Sequence, residues 1–226
     1  MMGGMRPNRV WPFAWLLALL LAACAPSATT PKAAVARVEG PVSFYPRETG
    51  LHWQYLRPGD PFDAPAYHLE AAGPAAFLGY SATQFRFFGR GQERVYYREV
   101  SDQAGQKLYG FEEKITLSQV SFDPPFLEYP PASLLAVGYR WGGKTRVKSV
   151  FTLPEGRIKQ AELTLDYGFE VVARRTVEVP AGRFDAFVIR YTAKGGDEGL
   201  AAEIWFVPHV GEVRTREGLV LVKKNF

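Results

Sequence analysis

Leu21-Ala22-Ala23-Cys24 contains the one side chain whose chemistry can be read from position alone. Small residues close a short apolar run and then present the only cysteine among 226 residues. This spacing reads as a lipobox. The thiol would take a diacylglycerol as a thioether, the chain would be cut before Cys24, and the new amino terminus would be acylated by a fatty acid such as palmitate. Cys24 is the candidate lipidation residue, and the folded part is left without a thiol for a disulfide or a nucleophile.

The segment before it fits that processing. Arg6 and Arg9 give a positive start and residues 10–21 a run of twelve mostly apolar residues, the pattern of a signal peptide. A spanning helix needs about 20 apolar residues to cross ~30 Å of hydrocarbon. This run is shorter, contains Pro12, and is soon followed by Pro26, Ser27, Thr29 and Thr30. Residues 1–23 are therefore expected to be a lipoprotein signal peptide and 24–40 a lipidated flexible tether. Each buried methylene contributes about 0.8 kcal/mol, so two or more acyl chains hold a protein at a bilayer without a basic patch. The expected location is the cell envelope, outside the cytoplasm. If the cell is diderm, the outer membrane is expected, since Ala25 is not the Asp that would signal retention at the inner one.

Other chemistries lack their spacing. Gly79-Tyr80-Ser81-Ala82-Thr83 has no second glycine for a nucleophile elbow. His52, His68 and His209 are not spaced as zinc ligands. Glu112-Glu113 and Asp197-Glu198 are adjacent, so on a strand each pair points to opposite faces and cannot converge as a glycosidase couple. Gly89-Arg90-Gly91 is explained as a hairpin tip. No catalytic residue, cofactor or metal site is assigned. Without residues 1–23 the chain has 25 basic against 23 acidic residues, a formal charge of +2, and they form no cationic stripe. Nucleic acid is not an expected partner.

The elements that would carry any site are strands. Turn signals recur at Gly89-Arg90-Gly91, Gly142-Gly143, Pro154-Glu155-Gly156, Pro180-Ala181-Gly182 and Pro208-His209-Val210-Gly211. Between such signals lie β-branched and aromatic runs at 94–100, 145–153, 158–165, 169–179, 184–192, 201–207 and 219–223. Ala161, Leu163, Leu165 and Tyr167 alternate with polar neighbours, as on a half-wet sheet. Residues 184–189 and 204–207 are apolar on both faces. The expected fold is mainly β: a strongly twisted antiparallel sheet that can curl into a partial barrel, with few or no long helices after the signal. Residues 41–226 read as a single β domain with candidate halves 41–128 and 129–226. The halves rest on an echo of Tyr45-Pro46…Gly50-Leu51-His52-Trp53 in Tyr129-Pro130…Gly138-Tyr139-Arg140-Trp141, and on a proline-rich stretch at 122–131 read as the crossover between them.

The pattern Tyr45-Pro46…Gly50…Trp53-Gln54-Tyr55, then 179–184, then Trp205 to Val213 resembles a group of uncharacterised bacterial envelope lipoproteins. These are similar in outline to half-barrel lipoprotein carriers of the LolA/LolB type. The resemblance implies an antiparallel sheet able to hold an acyl chain. The expected function is a tethered, non-catalytic binding module for an apolar ligand or lipid, with Trp53, Tyr55, Trp141 and Trp205 as its lining. The alternative is a structural or assembly accessory docking to an envelope protein complex through an exposed strand edge or loop. A hydrolase comes third.

Overall fold

The computed structural model describes residues 37–153 and 155–226, so Cys24 and most of the expected tether lie outside the described residues. Twelve strands follow one another: β1 (His52–Leu56), β2 (Tyr67–Phe77), β3 (Tyr80–Gly89), β4 (Gln92–Ser101), β5 (Gly105–Glu113), β6 (Ser118–Tyr129), β7 (Arg140–Thr152), β8 (Ile158–Val179), β9 (Gly182–Gly195), β10 (Glu198–Val207), β11 (Gly211–Arg214) and β12 (Val220–Lys224). A 3-10 turn, Ala132–Leu134, interrupts the β6–β7 connection. Each strand pairs antiparallel with the next, and β1 pairs with β12 to close a barrel. The expected antiparallel β architecture is present, and the sheet closes fully rather than partially. Closure satisfies the backbone edges that an open sheet would expose.

Local chemistry explains most of this. Aromatic and β-branched side chains fit a pleated, half-buried surface, and inward positions alternate along each strand. Tyr167, Phe169 and Val171 of β8 face Ala193, Tyr191 and Ile189 of β9, all buried. Outward positions carry ion pairs: Arg140–Glu170 at 2.8 Å, Arg146–Asp123 at 2.6 Å and Arg174–Asp185 at 2.7 Å.

Three sequence readings change. Residues 158–165 and 169–179 belong to one 22-residue strand, β8. Gly142-Gly143 is not a turn but lies inside β7, where a Cβ at Gly142 would meet the Tyr167 carbonyl oxygen at 2.2 Å; glycine lets two strands approach. The proline-rich stretch is mostly strand too. Pro124 and Pro125 lie within β6, where pairing with β7 ends at Asp123↔Arg146 and the register against β5 slips between Leu108 and Gly110. Prolines cannot donate to a ladder, so the wall parts there: residues 126–129 pair with β5 alone and 140–145 with β8 alone.

The echo noted in the sequence has a geometric counterpart. Gly50 N–H donates to Ala71 O at 2.8 Å and Ala71 N–H to Leu51 O at 2.9 Å. Gly138 N–H donates to Val171 O at 2.8 Å and Val171 N–H to Tyr139 O at 3.0 Å. Both glycines have left-handed φ, 91° and 86°, which a side chain rarely adopts. The same joint thus starts β1 against β2 and β7 against β8.

One barrel end is plugged by the chain before β1. The Phe44 and Tyr45 N–H groups donate to the Asp102 carboxylate, Tyr45 Oη donates to Pro130 O at 2.6 Å, and His209 N–H donates to Phe44 O at 3.1 Å. Val38 is part of this body, its N–H bonded to Asn225 O at 3.0 Å.

Candidate binding cavity

Two buried clusters fill the barrel. One gathers Phe126, Tyr167, Phe169, Ile189, Tyr191 and Phe206; the other gathers Leu51, Trp53, Tyr55, Tyr67, Phe85 and Leu221. A cavity of about 90 Å³ opens beside the second, its lining running from Pro46 at the plugged end to Thr215, Arg216 and Glu217 in the β11–β12 turn at the other. Strand alternation supplies an aromatic wall: Trp53 and Tyr55 from β1, Phe85 and Phe87 from β3, Tyr96 from β4. The rings are fixed by their polar tips. Trp53 Nε1 donates to Val210 O at 2.7 Å and Tyr55 Oη to Glu212 O at 2.9 Å.

The opposite wall is polar. Arg98 on β4 grips Glu128 on β6 through two bonds, 2.6 and 3.2 Å, and lies over the rings of Phe85 and Tyr96. Gln106 Nε2 also donates to Glu128, at 2.9 Å, and Arg216 stands 3.7 Å from it. Burial alone would raise the Glu128 pKa; Arg98 and Arg216 overcome it and hold the carboxyl below the usual range. Glu212 on β11 has weaker support. It accepts one bond from Tyr129 Oη, at 2.7 Å. Burial pushes its pKa up to about 7, the Tyr129 bond and Arg216 opposing and Glu217 and Glu128 adding to the rise. A half-buried carboxyl beside aromatic walls can accept a proton, a hydrogen bond or a cation near neutral pH.

Trp53 and Tyr55 therefore come together in the cavity lining, whereas Trp141 and Trp205 are placed elsewhere. Trp141 stacks on Phe169 at 5.0 Å in the other cluster. Trp205 packs on the outer side, its Nε1 donating to Glu203 and Arg214 lying over its ring. Sequence reasoning misses Arg98, Glu128, Glu212 and Arg216, which are scattered over some 120 residues and joined only by the closed register. His52 and His68 also meet, Nε2 to Nδ1 at 3.1 Å, because β1 and β2 pair. Among the described residues no group of three or more His, Cys, Asp or Glu is arranged to hold a metal ion.

Fold and cavity define a class in structural terms: a closed twelve-stranded antiparallel barrel with an aromatic interior and a buried ionic wall. No family model matches the chain, and no curated protein matches it. Among solved structures, one from Bacteroides fragilis NCTC 9343, provisionally described as an exported protein with a YmcC-like fold, is similar over 82% of this chain and 100% of its own, at 14% identity and a TM-score of 0.45.

Proposed function

We propose that this chain is a membrane-tethered, extracytoplasmic lipoprotein whose barrel is a non-catalytic binding module for an apolar ligand. The observation that carries the reading is the cavity walled by Trp53, Tyr55, Phe85, Phe87 and Tyr96 inside a closed sheet. Aromatic walls with a few fixed polar groups are the usual make-up of a small-ligand site. The signal segment and Cys24 supply the address and the anchor. Its partners under this reading are the membrane, through Cys24, and the apolar ligand.

The test is a titration of the full-length acylated protein, held in amphipol, with 1-hexanol while tryptophan fluorescence is followed. A saturable change that disappears in Trp53→Phe is expected. A linear, non-saturating response identical in both proteins would overturn the reading. The accessory alternative is favoured by one observation: residues 140–144 of β7 are paired on one side only, leaving a short strand edge for an envelope partner.

A further inference from the structure

The polar wall of the cavity is unevenly balanced. Arg98 and Arg216 both have Glu128 as an ion-pair partner, and Glu217 stands beside Arg216 in the cavity lining. Two cations therefore stand among three carboxylates, Glu128, Glu212 and Glu217, an excess of one negative charge. Among the described residues neither Glu212 nor Glu217 has a Lys, Arg or His nitrogen within ion-pair distance; Glu217 is exposed, whereas Glu212 is half-buried and its side-chain donor is the neutral Tyr129 hydroxyl. It lines the same cavity as Trp53 and Tyr55, so its oxygens and the aromatic faces look onto one space.

We propose that Glu212 is the head-group acceptor of this cavity and that the ligand carries an amine or quaternary ammonium group on a short apolar body. The inference rests on the binding-module reading and names its ligand class. A cation between aromatic faces gains from ring quadrupoles, more so when desolvated, and a carboxylate in a low-dielectric interior adds to the attraction. An anionic head group would face Glu212 and Glu217, with both arginines already engaged by Glu128. Only the ionised carboxylate attracts the cation, so affinity should rise with pH through the region in which Glu212 titrates. The groups facing Glu212 are Tyr129 and Glu128 from β6, Tyr55 from β1, and Arg216 and Glu217 from the β11–β12 turn, with Arg98 of β4 behind them.

The same fluorescence titration decides this with three probes of equal chain length: hexyltrimethylammonium, 1-hexanol and hexanoate. At pH 8 the ammonium probe should bind at least about tenfold more tightly than hexanol, and the ratio should shrink by up to about tenfold per pH unit below 7. Glu212→Gln should bring the ratio to about one and remove its pH dependence. Tighter binding of hexanoate, or a pH-independent ammonium preference, would overturn the head-group assignment while leaving the binding module in place. Failure of all three probes to bind a folded protein would overturn both. If Glu212→Gln does not fold, the pH series on the unaltered protein still separates these outcomes, because a preference that does not fall with acid excludes Glu212 as the acceptor.

Discussion

Tyr129 donates its phenolic hydrogen to Glu212 Oε1 at 2.7 Å inside the barrel, tying the end of β6 to the start of β11. The acid is held near pH 7 against an ordinary value of 4.5. Between those values the folded barrel retains a proton that the unfolded chain has released. Stability contributed by Glu212 is therefore complete below about 4.5 and declines as pH rises toward 7, by on the order of 3 kcal/mol in total. Urea unfolding at pH 5, 6, 7 and 8 should show this slope, and Glu212→Gln should flatten it. An unchanged slope in the variant would place the titration elsewhere.

Arg98 and Glu128 behave in the opposite sense. Their side chains are only 12% and 7% exposed, and the carboxyl is kept below its usual pKa, so the pair is intact at neutral pH and fails as acid protonates Glu128. Removing Glu128 strands Arg98 and takes away the Arg216 partner, at a cost of about 3–5 kcal/mol, whereas removing Arg98 leaves Glu128 its Arg216 and Gln106 contacts. Glu128→Leu should lose that much in denaturant titrations, and Arg98→Met less. The double variant should lose less than the two single losses combined, and additive losses would argue against the pairing.

Tyr45 secures the plug. Its side chain is fully buried and its hydroxyl bonds to Pro130 O. Tyr45→Phe should cost about 1 kcal/mol for the lost hydrogen bond. Tyr45→Ala should cost roughly 3–5 kcal/mol for the cavity and speed amide exchange in residues 42–48 ahead of the strands. Equal exchange in both variants would show that the plug does not depend on this ring.

Lipidation is tested at Cys24. Cys24→Ser should leave the protein out of the detergent phase in Triton X-114 partitioning, as an uncleaved precursor or a soluble form. Mass spectrometry of the unaltered protein should find an acylated Cys24 as the first residue. An unmodified thiol there would remove the anchor from the proposed function.

The strands are legible in the sequence because each carries its own pattern. The period-two alternation of Ala161, Leu163, Leu165 and Tyr167 is a local property and does not require a partner strand. Gly142-Gly143 misleads for the same reason. Without the partner, a glycine needed for strand approach looks like a turn glycine, and here Gly142 and Gly168 face each other across β7 and β8. Trp53 and Tyr55 stand out as large rings on one face of a short strand. Arg98 and Glu212 do not, because their environment depends on which strands stand opposite. The one local hint is a charged residue such as Glu212 between Gly211 and Val213 in an otherwise apolar stretch, and that is equally the signature of a solvated position.

The β1–β12 seam joins Trp53 to Lys224, and Val38 latches onto Asn225 beside it. Every other strand pairing is between neighbours in sequence and can zip from its turn, but this one closes a loop of most of the chain and carries the entropy of doing so. The meander can accumulate stepwise while β1 waits with an open margin. If the chain crosses a membrane unfolded, as the proposed function requires, maturation is decided by its last strand to arrive, and the interval before arrival is when a chaperone would have to shield the first.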